Sequence, residues 1–174
     1  MDIGYSLIGG SADALIRIFE TKGRATDKLN AFVGDLTLAD ELFNLTPQSR
    51  DLLHLLTVTY DLPLGAIAPY DQTHPLMKAL DVRTKAMSIK DNTIVLLVNA
   101  GAFHAEITRL SHRAGHLLIG SSANLSTAGT KFLVTDIEPQ ILDIADMLSA
   151  MVHVLTSSQT SFNVTRDSFR PTNV

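Results

Sequence analysis

The sequence predicts an α/β domain, and three neighbouring segments point to it. Thr93-Ile-Val-Leu-Leu-Val98 is continuously apolar, as strands buried on both faces are. Ala102 to Ala114 reads as a helix closed by Gly115, and the apolar Leu117-Leu118-Ile119 follows at once. Strand–helix–strand order argues for an α/β unit, though not for which strands pair. A chain of 174 residues suits one domain with a proper core. No internal repeat, low-complexity segment or interdomain linker interrupts it.

From the N-terminus, Met1 to Gly10 is a short apolar segment broken by glycines. Ser11 reads as a helix N-cap, with Asp13 in the first turn, where a negative charge suits the dipole. Leu15, Ile16, Ile18 and Phe19 give that helix an apolar face, and Gly23 should stop it between Lys22 and Arg24. Two cations there complement the last carbonyls, or else form an anion site beside a Gly turn. Local sequence favours the former. Leu29 to Val33 alternates like a strand. Thr37 to Phe43 and Pro47 to Thr57 read as helices, the second with Thr46 as N-cap and Pro47 in its first turn. Leu64 to Ala68 reads as a strand between Pro63 and Pro69. Tyr70 to Asn92 is polar and turn-prone, the best candidate for a mobile loop or flap. Pro139 to Ser149 reads as an amphipathic helix with Ile141, Leu142, Ile144, Ala145 and Leu148 inward. Val152 to Leu155 and Ser161 to Val164 read as closing strands, before a polar tail from about residue 165.

Composition narrows the function. Hydrophobic residues make up 45% of the chain, and the formal charge is -4. That balance disfavours direct nucleic-acid binding, which draws on basic surfaces. The absence of cysteine removes disulfides, thiolate catalysis and Cys-type zinc sites. No apolar run is long enough for a bilayer, and no secretory signal opens the chain. The expectation is a cytoplasmic protein, outside the membrane, acting on a small molecule.

Familiar catalytic motifs do not settle the chemistry. His112 and His116 have the spacing of a helical metal pair, but Gly115 ends the helix between them, so His104, His112 and His116 read as surface or edge histidines. There is no Gly-x-x-x-x-Gly-Lys and no Gly-x-Ser-x-Gly. No metal site is expected. The stretch that attracts attention is His116-Leu-Leu-Ile-Gly-Ser-Ser-Ala-Asn-Leu-Ser126, where an apolar run ends abruptly in hydroxyls and an amide. Strand ends of α/β sheets are where ligands sit. Taken alone, the same residues also make ordinary turns.

The order of the pieces says more than any one of them. Tyr5-Ser6-Leu7, a helix into Lys22-Gly-Arg24, then Lys28-Leu29, then Ser122-Ala-Asn-Leu-Ser126 resembles the Sua5/YciO/YrdC family. That family has Tyr-Gly-Leu, Lys-Gly-Arg-Pro with Lys-Pro-Leu behind it, and Ser-Ala-Asn-x-Ser-Gly. Pro63-Leu64 resembles its Pro-Gly-Pro-Leu-Thr segment, and Ser161-Phe-Asn-Val with Phe169-Arg170-Pro171 resembles its tail. The resemblance spans nearly the whole chain. It implies a single domain with a twisted mixed sheet flanked by helices and a central concave cavity.

The resemblance also implies an activity. Family members of the Sua5 and YrdC type make threonylcarbamoyl-adenylate from L-threonine, bicarbonate and ATP, a nucleotidyl transfer used in tRNA modification. Related domains work through carbamoyl-adenylate in specialised metabolism. ATP, with Mg, is then the implied cofactor. Carried over residue by residue, Lys22 and Arg24 would neutralise phosphate or carboxylate charge. Ser122 and Asn124 would hydrogen-bond the nucleotide or acyl-adenylate, and Tyr5 would line the amino-acid end. Lys28, Ser126, Ser161 and Arg170 fall in the matched segments and join the substrate-binding set. Positioning and charge neutralisation could supply most of such a reaction.

The departures are specific. The chain begins almost at Tyr-Gly-Leu, where the family has an earlier strand and helix. Ser6 and Thr127 stand for glycines, Ala25 and Asn99 for prolines, Gly65 for a threonine, and Leu97 for the arginine of a Val-Arg-Val-Pro strand. They open an alternative: a repurposed enzyme using the cavity without ATP, or a catalytically silent relative binding an anionic ligand or a protein.

Overall fold

The computed structural model describes residues 4–23 and 29–149. Arg24, Lys28, Ser161 and Arg170, with the two expected C-terminal strands, lie outside the described residues. The elements are β1 (Ser6–Gly9), α1 (Ala12–Lys22), β2 (Ala31–Val33), α2 (Leu36–Leu42), α3 (Pro47–His54) and β3 (Leu64–Pro69). They continue with α4 (Pro75–Ala79), α5 (Val82–Ser88), β4 (Ile89–Lys90), β5 (Thr93–Val98), α6 (Ala102–Arg113), β6 (Ile119–Ser122) and α7 (Pro139–Asp143).

Among the described residues the strands form a six-stranded mixed sheet of order β1-β6-β2-β5-β3, with β4 beside β5. β2 and β5 run parallel, whereas β6 runs antiparallel to both β1 and β2. The strand–helix–strand unit β5–α6–β6 therefore skips a strand, and β2 lies between its two strands. The sheet flanked by helices is the architecture expected.

Register divides the sheet into two faces, because paired residues point the same way and neighbours along a strand alternate. One row is Gly9–Ile119–Phe32–Leu96–Ala66. Phe32 and Leu96 are fully buried there, packed in one cluster with Leu15 of α1, Leu38 and Leu42 of α2, and Leu76 and Met77 of α4. The next row is Ile8–Gly120–Ala31–Val95–Ile67. Ala31, Val95, Leu97 and Ile67 belong to neither apolar cluster, and Ile67 is 69% exposed. Thus β5 is buried alternately, not on both faces as its continuous apolar run suggested. The helices cover one face of it and leave Val95 and Leu97 half-buried.

Local signals placed several elements well. Ser11 accepts from the Ala14 amide at 3.2 Å and caps α1, and Gly23 ends it with φ 55. Thr46 caps α3, whose chain continues into a π-helical turn, Leu55–Thr59. Three expectations need correction. Tyr70 to Asn92 is not a long loop but holds α4, α5 and β4. His74 and Asp81 cap the two helices, and Leu76, Met77 and Thr84 are buried beneath them. The Asp91-Asn92 pair, with φ 49 and 58, closes the β4–β5 hairpin as a turn with both central residues left-handed. The helix from Pro139 stops at Asp143, and Asp146 instead turns to Arg17 of α1 at 3.0 Å. His104 is not at the surface but 1% exposed in α6.

Candidate functional site

The chain path builds the site from β1 outward. β1 runs to Gly9, and α1 doubles back from the Ser11 cap, so its last residue returns to the start of β1. Ser6 pairs with Ser122, and Lys22 therefore arrives beside the end of β6. Its Nζ donates to the Ser122 carbonyl and lies 3.4 Å from the Ser122 hydroxyl. Lys22 is 4% exposed. An ammonium so deeply placed requires polar company, and Ser122, at the end of β6 where the chain enters a turn, supplies it.

That turn is tied down from several sides. The Ala123 amide donates to the Tyr5 carbonyl at 2.9 Å, and the Ser126 amide donates to the Lys22 carbonyl at 3.1 Å. Asn124 is buried; its Nδ2 donates to the Leu125 carbonyl at 2.6 Å, while its Oδ1 has no protein partner. The Tyr5 amide donates to the Lys131 carbonyl at 2.8 Å. Gly4 fits there because a Cβ would stand 2.5 Å from Thr130 Cγ2 and 2.7 Å from the Lys131 carbonyl. Lys131 pairs with Glu138 at 2.9 Å, and that hydrogen bond holds the Glu138 carboxyl below its usual range.

Of the residues singled out from sequence, the structure brings together Tyr5, Lys22, Ser122, Asn124 and Ser126. It offers a buried ammonium, an exposed hydroxyl and an unmatched amide oxygen at one end of the sheet. Such a set can neutralise one negative charge and orient a polar group beside it. Among the described residues no cluster of three or more His, Asp or Glu could hold a metal ion. A cavity of about 380 Å³ runs along β1, lined mainly by apolar groups such as Leu7, Ile8, Phe103, Ile107 and Ile141. Tyr5, Ser6 and Ala123 carry its wall toward the Ser122 turn.

The positions that depart from the family pattern fall at several places in the fold. Gly65 and Leu97 are direct cross-strand partners on the less covered face, and a Cβ on Gly65 would meet nothing within 4 Å. Neither offers a polar side chain. Asn99 adopts φ 59, which proline cannot reach. Its Nδ2 donates to the Thr57 and Leu62 carbonyls and to Asp61, anchoring the turn that follows the π-helical segment. Thr127 holds φ 72, a conformation easier for glycine. Sequence reading missed Asn30 and Ser88, both buried polar residues toward the Ser122 end of the sheet. An isolated Asn before a strand and a Ser ending a helix carry no signal of their own.

Comparison with known proteins bears on the fold. No family model matches the chain, and no curated protein does. Solved structures do. A hypothetical protein from Streptococcus mutans superposes with a TM-score of 0.69 at 23% identity, over 83% of this chain and 56% of that one. The Sua5 of P. abyssi in complex with L-threonine superposes with a TM-score of 0.52 at 19% identity, over 75% of this chain and 35% of that one. A doubly substituted variant of the same Sua5 gives 0.51 at 19% identity, over 75% and 36%. The chain thus spans about half the length of the first protein and about a third of the second. At these identities the likeness concerns architecture: the chain has a distant Sua5/YrdC-like fold.

Proposed function

We propose that the protein is a divergent small-molecule enzyme that forms an acyl-adenylate, of the threonylcarbamoyl type from ATP, bicarbonate and an amino acid, or of the carbamoyl type from ATP and a carbamoyl donor. The observation that carries this reading is the convergence of buried Lys22 on Ser122, beside the unmatched Oδ1 of Asn124. The likeness in fold to Sua5, one structure of which holds L-threonine, supports it.

The reaction would combine the amine with bicarbonate to give a carbamate and water. A carbamate oxygen would then attack the α-phosphorus of ATP, and pyrophosphate would leave. Negative charge accumulates on the carbamate and phosphoryl oxygens during the attack. Lys22 would offset part of it, acting where water is scarce and an ammonium is worth most. Ser122 and Asn124 would hold the acyl-adenylate through neutral hydrogen bonds, and Tyr5 would bound the amino-acid end. Mg would enter on the nucleotide as part of the substrate.

A second reading has one specific observation in its favour. The Gly65–Leu97 pair gives its stretch of sheet no polar side chain. A triphosphate would find little there, so a small anion held at Lys22 without ATP turnover suits the arrangement. Incubation with ATP, L-threonine and bicarbonate, followed for pyrophosphate and for an adenylate by mass spectrometry, separates the two. Product that disappears in Lys22→Met supports the enzyme. No product, with a thermal shift by L-threonine that Lys22→Met removes, supports the binding reading. If neither signal depends on Lys22, the site is misplaced.

A further inference from the structure

Asn30 and Ser88 stand apart from the other buried polar residues. Asn30 is 1% exposed and Ser88 is fully buried. Both side-chain atoms of Asn30 and the hydroxyl of Ser88 lack a protein partner. Among the described residues, the remaining buried orphan atoms belong to side chains whose other polar atom is matched or is not itself an orphan. The Asn124 amide, for instance, still donates to Leu125. Among the described residues, only Asn30 and Ser88 have every side-chain polar atom buried and unanswered. Leaving such groups unmatched costs free energy, and a native protein that keeps them usually has a use for them.

Their position gives that use. The Asn30 amide donates to the Met87 carbonyl at 3.1 Å, which sets Asn30 beside Ser88 at the end of α5. α1 packs across α5, and its last residue is Lys22. Asn30 immediately precedes Ala31, whose partner is Gly120, so it stands level with Ser121 at the end of β6 that leads into Ser122 and Asn124. The two orphan residues and Lys22 thus occupy the same end of the sheet on its helix-covered face, while the Ser122 hydroxyl turns to the other face.

The chemistry of the two sets differs. Lys22 brings positive charge. Asn30 and Ser88 bring none: one amide donor, one amide acceptor and a hydroxyl able to do either. A carboxylate or phosphate placed against them would meet the Asn30 oxygen with no proton to share. A planar neutral group that donates and accepts would satisfy all three atoms.

We infer that Asn30 and Ser88 form a neutral subsite that receives the amide-like portion of the ligand, a carboxamide or ureido group, whose anionic portion lies toward Lys22. This rests on the reading of the Lys22–Ser122 end as a ligand site. Because the atoms are shielded from solvent, binding requires a small opening at the α1–α5 contact, and the group then enters without its water shell. Discrimination should be strong, since a ligand lacking a donor leaves the Asn30 oxygen unanswered.

Calorimetry with two probes tests the assignment. N-carbamoyl-L-threonine carries a carboxylate and a ureido group, while N-acetyl-L-threonine lacks the terminal amine donor. The wild-type protein should bind the first about tenfold or more tightly than the second, as a site built to hydrogen-bond an N–H does. Asn30→Leu and Ser88→Ala should each erase the preference, and neither should lower the melting temperature of the ligand-free protein, because each removes an unmatched polar group. Ser88→Ala loses only a hydroxyl and keeps the test decisive if Asn30→Leu does not fold. A wild-type protein without the preference, or variants that retain it, would overturn the subsite. Pyrophosphate release dependent on Lys22 alongside a lost preference would sink this inference alone. A preserved preference without any pyrophosphate would sink the proposed reaction alone.

Discussion

Two ends of one sheet behave differently. At the Ser6–Ser122 end, α1 delivers a buried ammonium, a strand end delivers a hydroxyl, and the turn beyond adds an amide with an unmatched oxygen. At the Gly65–Leu97 end, on the same face by register, the side chains are a hydrogen and an isobutyl group. The Gly65–Leu97 end lies over the main core, where Leu64 and Ala66 pack, whereas Tyr5, Leu7 and Ala123 at the other end pack in a second, smaller cluster with Ile137 and Ile141. The contrast in what each presents to a ligand lies in the side chains named. An anionic head fits the first end, whereas a polyphosphate would gain little from the second.

The largest expected effect concerns the main core around Phe32. Phe32→Ala should cost about 3–5 kcal/mol, because a fully buried ring leaves a cavity behind. Leu97→Ala, on the less covered face of the same sheet, should cost no more than about 1.5 kcal/mol. Urea denaturation of the two variants measures the difference. Equal losses would show that the Leu97 face is packed after all.

Lys22→Met comes next. It removes a charged hydrogen bond to the Ser122 carbonyl and should cost about 1.5–3 kcal/mol, seen as a lower urea midpoint. A neutral outcome would mean that the ammonium contributes nothing to holding α1 against β6. Thr127→Gly should work in the opposite direction. Thr127 holds a left-handed φ of 72 just past the polar turn, and relief of that strain is worth about 1 kcal/mol. A raised melting temperature checks it.

The smallest effect is a pH slope. Burial holds the His104 imidazole below its ordinary pKa, so the unfolded chain takes up that proton first. Stability should be full above the unfolded value and fall as pH drops through it, until the folded protein also binds the proton. Urea midpoints between pH 7.5 and 5 should decline less in His104→Gln than in the wild type.

Much of the fold could be read locally. Ser11, Gly23, Thr46 and Pro47 announce their helices because capping is a property of adjacent residues. The α4–α5 region could not be read that way. His74 is an unusual cap, both helices are short, and their apolar residues count only once the sheet lies beneath them. The length of β6 was hidden too, since Gly120, Ser121 and Ser122 have weak strand character and are held by β1 and β2 on either side. At the site, the order of the motifs pointed to Tyr5, Lys22, Ser122, Asn124 and Ser126. Sequence could not show that Lys22 is buried against a strand carbonyl, because that depends on α1 doubling back. Asn30 and Ser88 emerge only when burial and partners are known.

The polar end is proposed to hold the ligand, while the Gly65–Leu97 end gives a polyphosphate no grip. Calorimetric titration with AMP and with ATP, in the wild type and in Leu97→Arg, tests it most directly. Both nucleotides should bind the wild type, ATP within a few-fold of AMP, and Leu97→Arg should strengthen ATP alone by roughly tenfold or more, the worth of one charged hydrogen bond. ATP already bound far more tightly than AMP, an arginine without effect, or neither nucleotide bound would contradict it.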